Sequence, residues 1–247
     1  MKIKYLFSGS KNESGNVLFY ILIAVALLAA LSYAVSQSSR GGGGLDSLNE
    51  EKAKIIASEI LEYASTIETA VKQLSLRGCK DTELSFENNL SSIDYTNTSN
   101  PTGDNYCHIF HLDGGGIQYT PPSSEWQNNA SDLLFTAKTC IDQIGTGITG
   151  CDSDGSSAAD LILVIPDINL TTCNEINSRL GVETNGTPPQ DEDDAWNSSS
   201  PEFVGTYTGG AILQDSGNVL DGKNAGCFQG DTTPSSGYHF YKVLLAR

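Results

Sequence analysis

The chain has 247 residues, with 30 acidic against 14 basic side chains, a formal net charge of −16 and six cysteines. That balance excludes tracking of a phosphate backbone, which needs a clustered positive surface, so no nucleic-acid partner is expected. Once a leader and an apolar run are set aside, about two hundred residues remain, enough for one medium domain.

Residues 1–15 (MKIKYLFSGSKNESG) form a short basic leader carrying Lys2, Lys4 and Lys11 against Glu13 alone. Residues 16–35 follow as a predicted transmembrane helix. From Val17 to Val35 no residue is charged, and at ~1.5 Å per residue the run approaches the ~30 Å of bilayer hydrocarbon, so membrane lipid is the expected partner of residues 17–35. The lysines place the N-terminus in the cytoplasm, which predicts a single-pass protein of the inner membrane with its head in the periplasm or outside the cell. Residues 36–46, beginning SQSSRGGGG, read as a Gly/Ser-rich hinge, because successive glycines lose too much backbone entropy in a helix.

Gly15 stands immediately before polar Asn16 and then the unbroken apolar run. This junction resembles the class III signal of type IV pilins and pseudopilins. The resemblance implies cleavage between Gly15 and Asn16 on the cytoplasmic side, retention of the apolar helix, and packing of that helix against other pilin-like subunits. The chain would then be a structural subunit, a minor one, of a type IV pilus or type II secretion-type filament. It departs from the family at two places, with Asn16 where Phe is usual and Tyr20 where Glu is usual. The leader, the apolar run, the glycine-rich boundary and the ending Tyr238–Arg247 (YHFYKVLLAR) also resemble exported proteins of alphaproteobacteria. The alternative reading is a signal-anchored surface binding module or adhesin that does not polymerise.

Residues 47–78 read as an amphipathic helix. Ser47 and Glu50 have capping-box spacing. Ile56, Ile60, Tyr63 with Ala64, Ile67, Val71 and Leu74 recur at steps of three and four and form one apolar stripe, expected to face the head's own sheet. Gly78 sits where a helix C-cap favours glycine. Glu50, Glu51, Glu59, Glu62 and Glu68 fall largely off the stripe, as a solvated face.

Residues 79–247 change to short apolar runs between Gly, Pro, Asn, Ser and Thr, the texture of strands and long loops in a β-rich head outside the cytoplasm. Strands are predicted at Leu84–Phe86, His108–Leu112, Ile117–Tyr119, Leu133–Lys138, Leu161–Ile165, Phe203–Tyr207 and Tyr238–Ala246. In the last, Tyr238, Phe240 and Lys242 share one face and His239, Tyr241 and Val243 the other. Gly114–Gly116 is a turn joining two strands, and the acidic run Asp191–Asp194 lies in a loop expected to be mobile. Cys79, Cys107, Cys140, Cys151, Cys173 and Cys227 all follow the apolar run and are even in number, which points to disulfides in an oxidising compartment. Nearest-neighbour pairing is the simplest of fifteen connectivities, and the sequence does not select one. No Cys-x-x-Cys pair supports a zinc site. The fold class expected is α+β: a transmembrane helix, an amphipathic helix and a disulfide-stabilised, pilin-like head.

Candidate chemistry is sparse. His108, His111 and Asp113 suggest a metal site, but residues three apart on a strand point to opposite faces. Asp152, Asp154 and Asp160 resemble the start of a calcium loop, since alternate carboxylates offer hard oxygen ligands; the third alternate position is Ser156 and no glutamate closes the loop. An Asx-rich turn is the plainer reading. No nucleophile elbow, phosphate-binding glycine loop or His-Glu-x-x-His helix occurs, so no catalytic residue and no cofactor is expected and the chain does not read as an enzyme.

Overall fold

A computed structural model describes residues 14–40, 44–100, 105–145, 159–182, 184–192, 201–208, 211–231 and 235–247; on its first two helices side chains are described over 18–33 and from 48 onward. The chain divides into two units, Met1–Asn49 and Glu50–Arg247.

In the first unit, α1 runs over Ser14–Arg40. Among the described residues no helix is long and apolar enough to cross a membrane, and this corrects the transmembrane helix expected over 16–35. α1 also continues through Ser36–Arg40, and α2 begins at Gly44. Helix therefore occupies most of the residues expected in the hinge, since extending a formed helix adds one hydrogen bond for each residue fixed; residues 41–43 lie outside the described set.

α2 spans Gly44–Leu76 and starts three residues before the expected cap at Ser47. In the second unit its apolar stripe is buried as the spacing predicts. Ile56, Ala57, Ile60, Ala64, Ile67, Val71 and Leu74 are at most 4% exposed and belong to one core cluster with the sheet. The helix stops because Gly78 adopts φ +105°, with the Gly78 N–H bonding the Ser75 carbonyl and the Cys79 N–H that of Leu74. This paired closure of the last turn suits a left-handed glycine. Glu68, expected on the solvated face, instead meets Lys242 of the last strand at 2.8 Å. Burial alone would raise its carboxyl, but Lys242 and Lys72 together hold it below the usual range.

Among the described residues the sheet has five strands, β1 (Leu134–Ile141), β2 (Asp160–Ile168), β3 (Ala211–Leu213), β4 (Ala225–Gln229) and β5 (Tyr238–Leu245), in the order β3-β1-β2-β5-β4. All pairs are antiparallel except β1 with β3. β2 is buried on both faces. Leu161, Leu163 and Ile165 pack with α2, while Ile162 and Val164 enter a second cluster with Phe228, Tyr241 and Val243. A strand covered on both sides reads as a continuous apolar run rather than an alternation. β5 divides its side chains as predicted, Phe240 and Leu244 to one cluster and Tyr241 and Val243 to the other.

A third helix, α3 (Leu170–Leu180), follows β2 and adds Cys173 and Ile176 to the α2 side of the core. Arg179 ties it to α2, donating to Ser58 Oγ at 2.5 Å and to the Lys54 carbonyl at 3.0 Å. Residues 189–192 then fasten both ends of the sheet. The Gln229 N–H donates to the Pro189 carbonyl and the Asp191 N–H to that of Gln229, each at 2.8 Å, while the Glu192 N–H reaches Gln214 just beyond β3 at 2.9 Å. The sheet is consequently curled. Asp191, expected in a mobile acidic loop, is fully buried; residues 193–200 lie outside the described set.

The expected β-rich head is corrected by these elements: among the described residues of 79–247 a further helix, α3, packs beside a curled mixed sheet. Four predicted strands are not strands. Leu84–Phe86 and His108–Leu112 share only the isolated bridge Ser85–His108, and Ile117–Tyr119 and Phe203–Tyr207 join no ladder. Leu84, Phe86, Ile109, Tyr119 and Phe203 plug the core from loops, Phe86 by stacking on Phe135 with ring centroids 4.1 Å apart, whereas Leu112 is exposed. Disulfides join Cys79 to Cys107 and Cys173 to Cys227. Cys140 is also disulfide-bonded, and Cys151 lies outside the described residues.

Candidate functional site

On α1 the described apolar side chains are exposed at every step. Leu18 is 68% exposed, Leu22 64%, Leu27 64% and Leu31 67%, with Phe19, Val25 and Leu28 between them also above half. Successive helical positions turn by about 100°, so these residues cover all sides of the rod rather than one stripe. A monomeric soluble protein rarely leaves so continuous an apolar surface open. Gly15 and Asn16, the predicted cleavage junction, lie in the first turn of this helix.

In the second unit, the predicted strand at His108–Leu112 is instead a tight turn. Glycine is required at 114 and 115, where a Cβ would collide with the His108 and Ile109 carbonyls. The turn brings the His108 and His111 rings to 6.5 Å and leaves His111 Nδ1 accepting the Asp113 N–H at 3.2 Å. Arg77 clamps the turn from the end of α2, donating to the carbonyls of Asp113 and Gly114 at 3.0 and 2.7 Å. The cluster is closer than a strand would allow, yet among the described residues no three His, Cys, Asp or Glu side chains could hold a metal ion together.

Of the calcium candidates, Asp152 and Asp154 lie outside the described residues. Asp160 opens β2 and is fully buried. Its Oδ1 accepts the Arg247 N–H at 3.0 Å and its Oδ2 the Ile141 N–H at 3.3 Å. Burial pushes its carboxyl up to about 6 against those two bonds and the Arg247 charge. With both oxygens engaged by backbone, Asp160 fastens the end of β5 to the β1–β2 pair.

Sequence reasoning missed one cluster of serine, histidine and aspartate. Asp167, Ser235 and His239 meet where β2 bulges opposite the start of β5. Their wiring differs from that of a nucleophile and its base. The Ser235 hydroxyl donates to Asp167 Oδ1 at 2.7 Å, and the imidazole meets only backbone in this trio, Nδ1 with the Asp167 N–H at 3.2 Å and Nε2 with the Ser235 carbonyl at 3.1 Å. The signal in the sequence was a polar His239 in a strand whose other residues on the same face are buried aromatics and aliphatics.

An open groove of about 360 Å³ lies between α2 and residues 115–117. It offers little convergent chemistry, because the Thr66 and Thr69 hydroxyls on its wall are spent on the helix carbonyls of Glu62 and Ser65. Ligand sites normally combine an apolar cavity with polar groups aimed into it. No protein-family profile, curated protein or solved structure matches this chain.

Proposed function

We propose that this chain is a pilin-like structural subunit, whose work is to assemble with other subunits through α1 while the disulfide-braced second unit is displayed. The observation that carries the reading is the exposure of apolar side chains all round α1 between Leu18 and Leu31. Such a rod gains about 25 cal/mol for each Å² of apolar surface removed from water, and equivalent helices of neighbouring subunits supply that cover. Two disulfides support folding of the second unit in an oxidising compartment, outside the cytoplasm. The Gly15–Asn16 junction supports removal of the leader before assembly.

The test is made on the full chain taken from cells with its disulfides intact. N-terminal mass spectrometry is expected to find a chain beginning at Asn16, and light scattering with electron microscopy is expected to find ordered multimers. Leu22→Glu with Leu27→Glu should abolish the multimers and leave the near-ultraviolet circular dichroism of the second unit unchanged. A chain that begins at Met1 and stays single-copy would overturn the reading, and a surface binding module that does not polymerise would take its place.

A further inference from the structure

His239 sits in β5, fully buried, opposite an irregularity in β2. Ile165 pairs with Phe240 and Ile168 with Tyr238, so Pro166 and Asp167 together face His239 alone. A bulge of this kind strips ladder partners from the extra residues and re-aims their groups. Each stripped group has been given a substitute. The Pro166 carbonyl accepts from Gln127 Nε2 at 2.9 Å, and the Asp167 carbonyl accepts the Asn128 N–H at 2.7 Å. The Asp167 N–H goes to His239 Nδ1 at 3.2 Å. Asp167 holds φ +54°, a left-handed conformation that a non-glycine residue adopts at a cost.

The other imidazole nitrogen reaches forward in the chain. Nε2 lies 3.1 Å from the Ser235 carbonyl. Because Nδ1 faces an N–H, it must present a lone pair, and the ring proton therefore sits on Nε2 and donates to Ser235. One neutral ring thus spans from the β2 bulge to the turn that leads into β5. The Ser235 hydroxyl reinforces the same junction by donating to Asp167 Oδ1.

We propose that His239 is an acid-released latch: as a neutral imidazole it fastens the turn before β5 to the β2 bulge, and its protonation unfastens the bulge. A proton on Nδ1 replaces the acceptor by a donor that points at the Asp167 N–H, so that bond is lost and the positive φ of Asp167 loses its tether. Among the described residues, the charged group acting on the ring is the Asp167 carboxylate, already occupied by the hydroxyls of Ser235 and Ser131. From β4 the ring is faced by Phe228, with centroids 5.5 Å apart. Burial disfavours the imidazolium more than the Ser235 carbonyl and the Asp167 charge favour it, and holds the ring's pKa below the ordinary histidine value. The latch therefore stays closed near neutrality and opens only on acidification.

The test uses the full, disulfide-intact chain. Hydrogen exchange resolved to the Asp167 amide is measured at about pH 7.5 and about pH 5, with histidine C2–H exchange reporting the titration of His239. The expected result is a titration midpoint below the ordinary value near 6.5 and a protection factor at Asp167 that falls about tenfold or more between the two conditions, while that of Val164 holds. His239→Asn offers a carbonyl oxygen in place of Nδ1 and does not titrate, so it should keep Asp167 protected at both. The proposal is overturned by equal protection of Asp167 in the parent chain at the two pH values, by an equal loss in His239→Asn, or by a midpoint at or above 6.5. The parent-chain measurements decide the matter even if the variant does not fold.

Discussion

Asn177 offers the sharpest test of how the sheet is closed. It is fully buried on α3, and its side-chain amide serves the backbone of Cys227 twice. Nδ2 donates to the Cys227 carbonyl and Oδ1 accepts the Cys227 N–H, each at 2.8 Å. The amide thus stands in for one residue of a strand that would otherwise have to pair along the outer side of β4. Asn177→Ala leaves a buried donor and a buried acceptor without partners. At about 1–3 kcal/mol for each unsatisfied group, the loss should be about 2–6 kcal/mol. The Cys173–Cys227 disulfide keeps α3 tethered to β4, so the oxidised variant should fold, and the loss reports the two hydrogen bonds rather than undocking of the helix. With a urea slope of about 2 kcal/mol per molar, the unfolding midpoint should fall by about 1–3 M at unchanged slope. Asn177→Asp keeps an acceptor for the Cys227 N–H but turns a carboxylate oxygen toward its carbonyl, and should cost more than alanine. A midpoint for Asn177→Ala within about 0.25 M of the parent would refute the idea that this amide substitutes for a strand.

Three further outcomes follow from the same structure. Replacing Cys79 and Cys107, or Cys173 and Cys227, by serine opens closures of 28 and 54 residues; chain entropy sets the losses at about 3.5 and about 4 kcal/mol, measurable by urea unfolding. Leu74→Ala removes a fully buried side chain at the end of α2 and should destabilise by about 2–5 kcal/mol, whereas exposed Leu76→Ala should change stability by less than about 0.5 kcal/mol. Asp160 is raised from 3.8 to about 6 in the folded chain, so the folded state holds its proton over a window where the unfolded state has lost it. Its contribution is full below about pH 4, falls as pH rises to about 6 and is flat above, about 3 kcal/mol at most. The pH dependence of the unfolding midpoint should lose that slope in Asp160→Asn; an unchanged slope would contradict the assignment.

What could be read from the sequence was periodicity wherever the structure buries a regular face. The stripe from Ile56 to Leu74 and the alternation of Phe240 with Tyr241 both predict which side chains enter which cluster. Apolar runs such as Leu84–Phe86 and Phe203–Tyr207 misled because burial of a side chain does not require a ladder: Phe86 and Phe203 reach the core from loops held by a few local hydrogen bonds, such as the Ser85 N–H to the Cys107 carbonyl and the Phe203 N–H to the Phe135 carbonyl. α3 escaped notice because LTTCNEINSRL carries few aliphatics and its buried face is built from Thr172, Cys173, Ile176 and Asn177. Its left-handed Gly181 cap was present as a signal. β4, as AGCFQ, shows neither alternation nor β-branched residues. At the candidate sites the turn around His111 and the Asp167–His239 junction depend on backbone groups meeting across 72 residues or on collisions that only glycine avoids. No local pattern encodes such meetings.

The closure of the sheet also bears on how copies of this chain could meet. An open strand edge invites another chain to add to it, and proteins that do not use the edge cover it. Here the outer side of β4 is taken at Cys227 by the Asn177 amide and at Gln229 by Pro189 and Asp191. A neighbouring copy could pair along β4 only by displacing α3 and residues 189–191, which are held by a disulfide and by buried hydrogen bonds. Strand addition at that edge is therefore costly, and the proposed assembly is assigned to the exposed apolar side chains of α1. Substitutions on α1 should then change assembly without changing the unfolding midpoint of the second unit, while Asn177→Ala should change the midpoint without changing assembly. Size measurements and urea unfolding on the same two variants separate the effects, and a single variant that moved both together would sink the division.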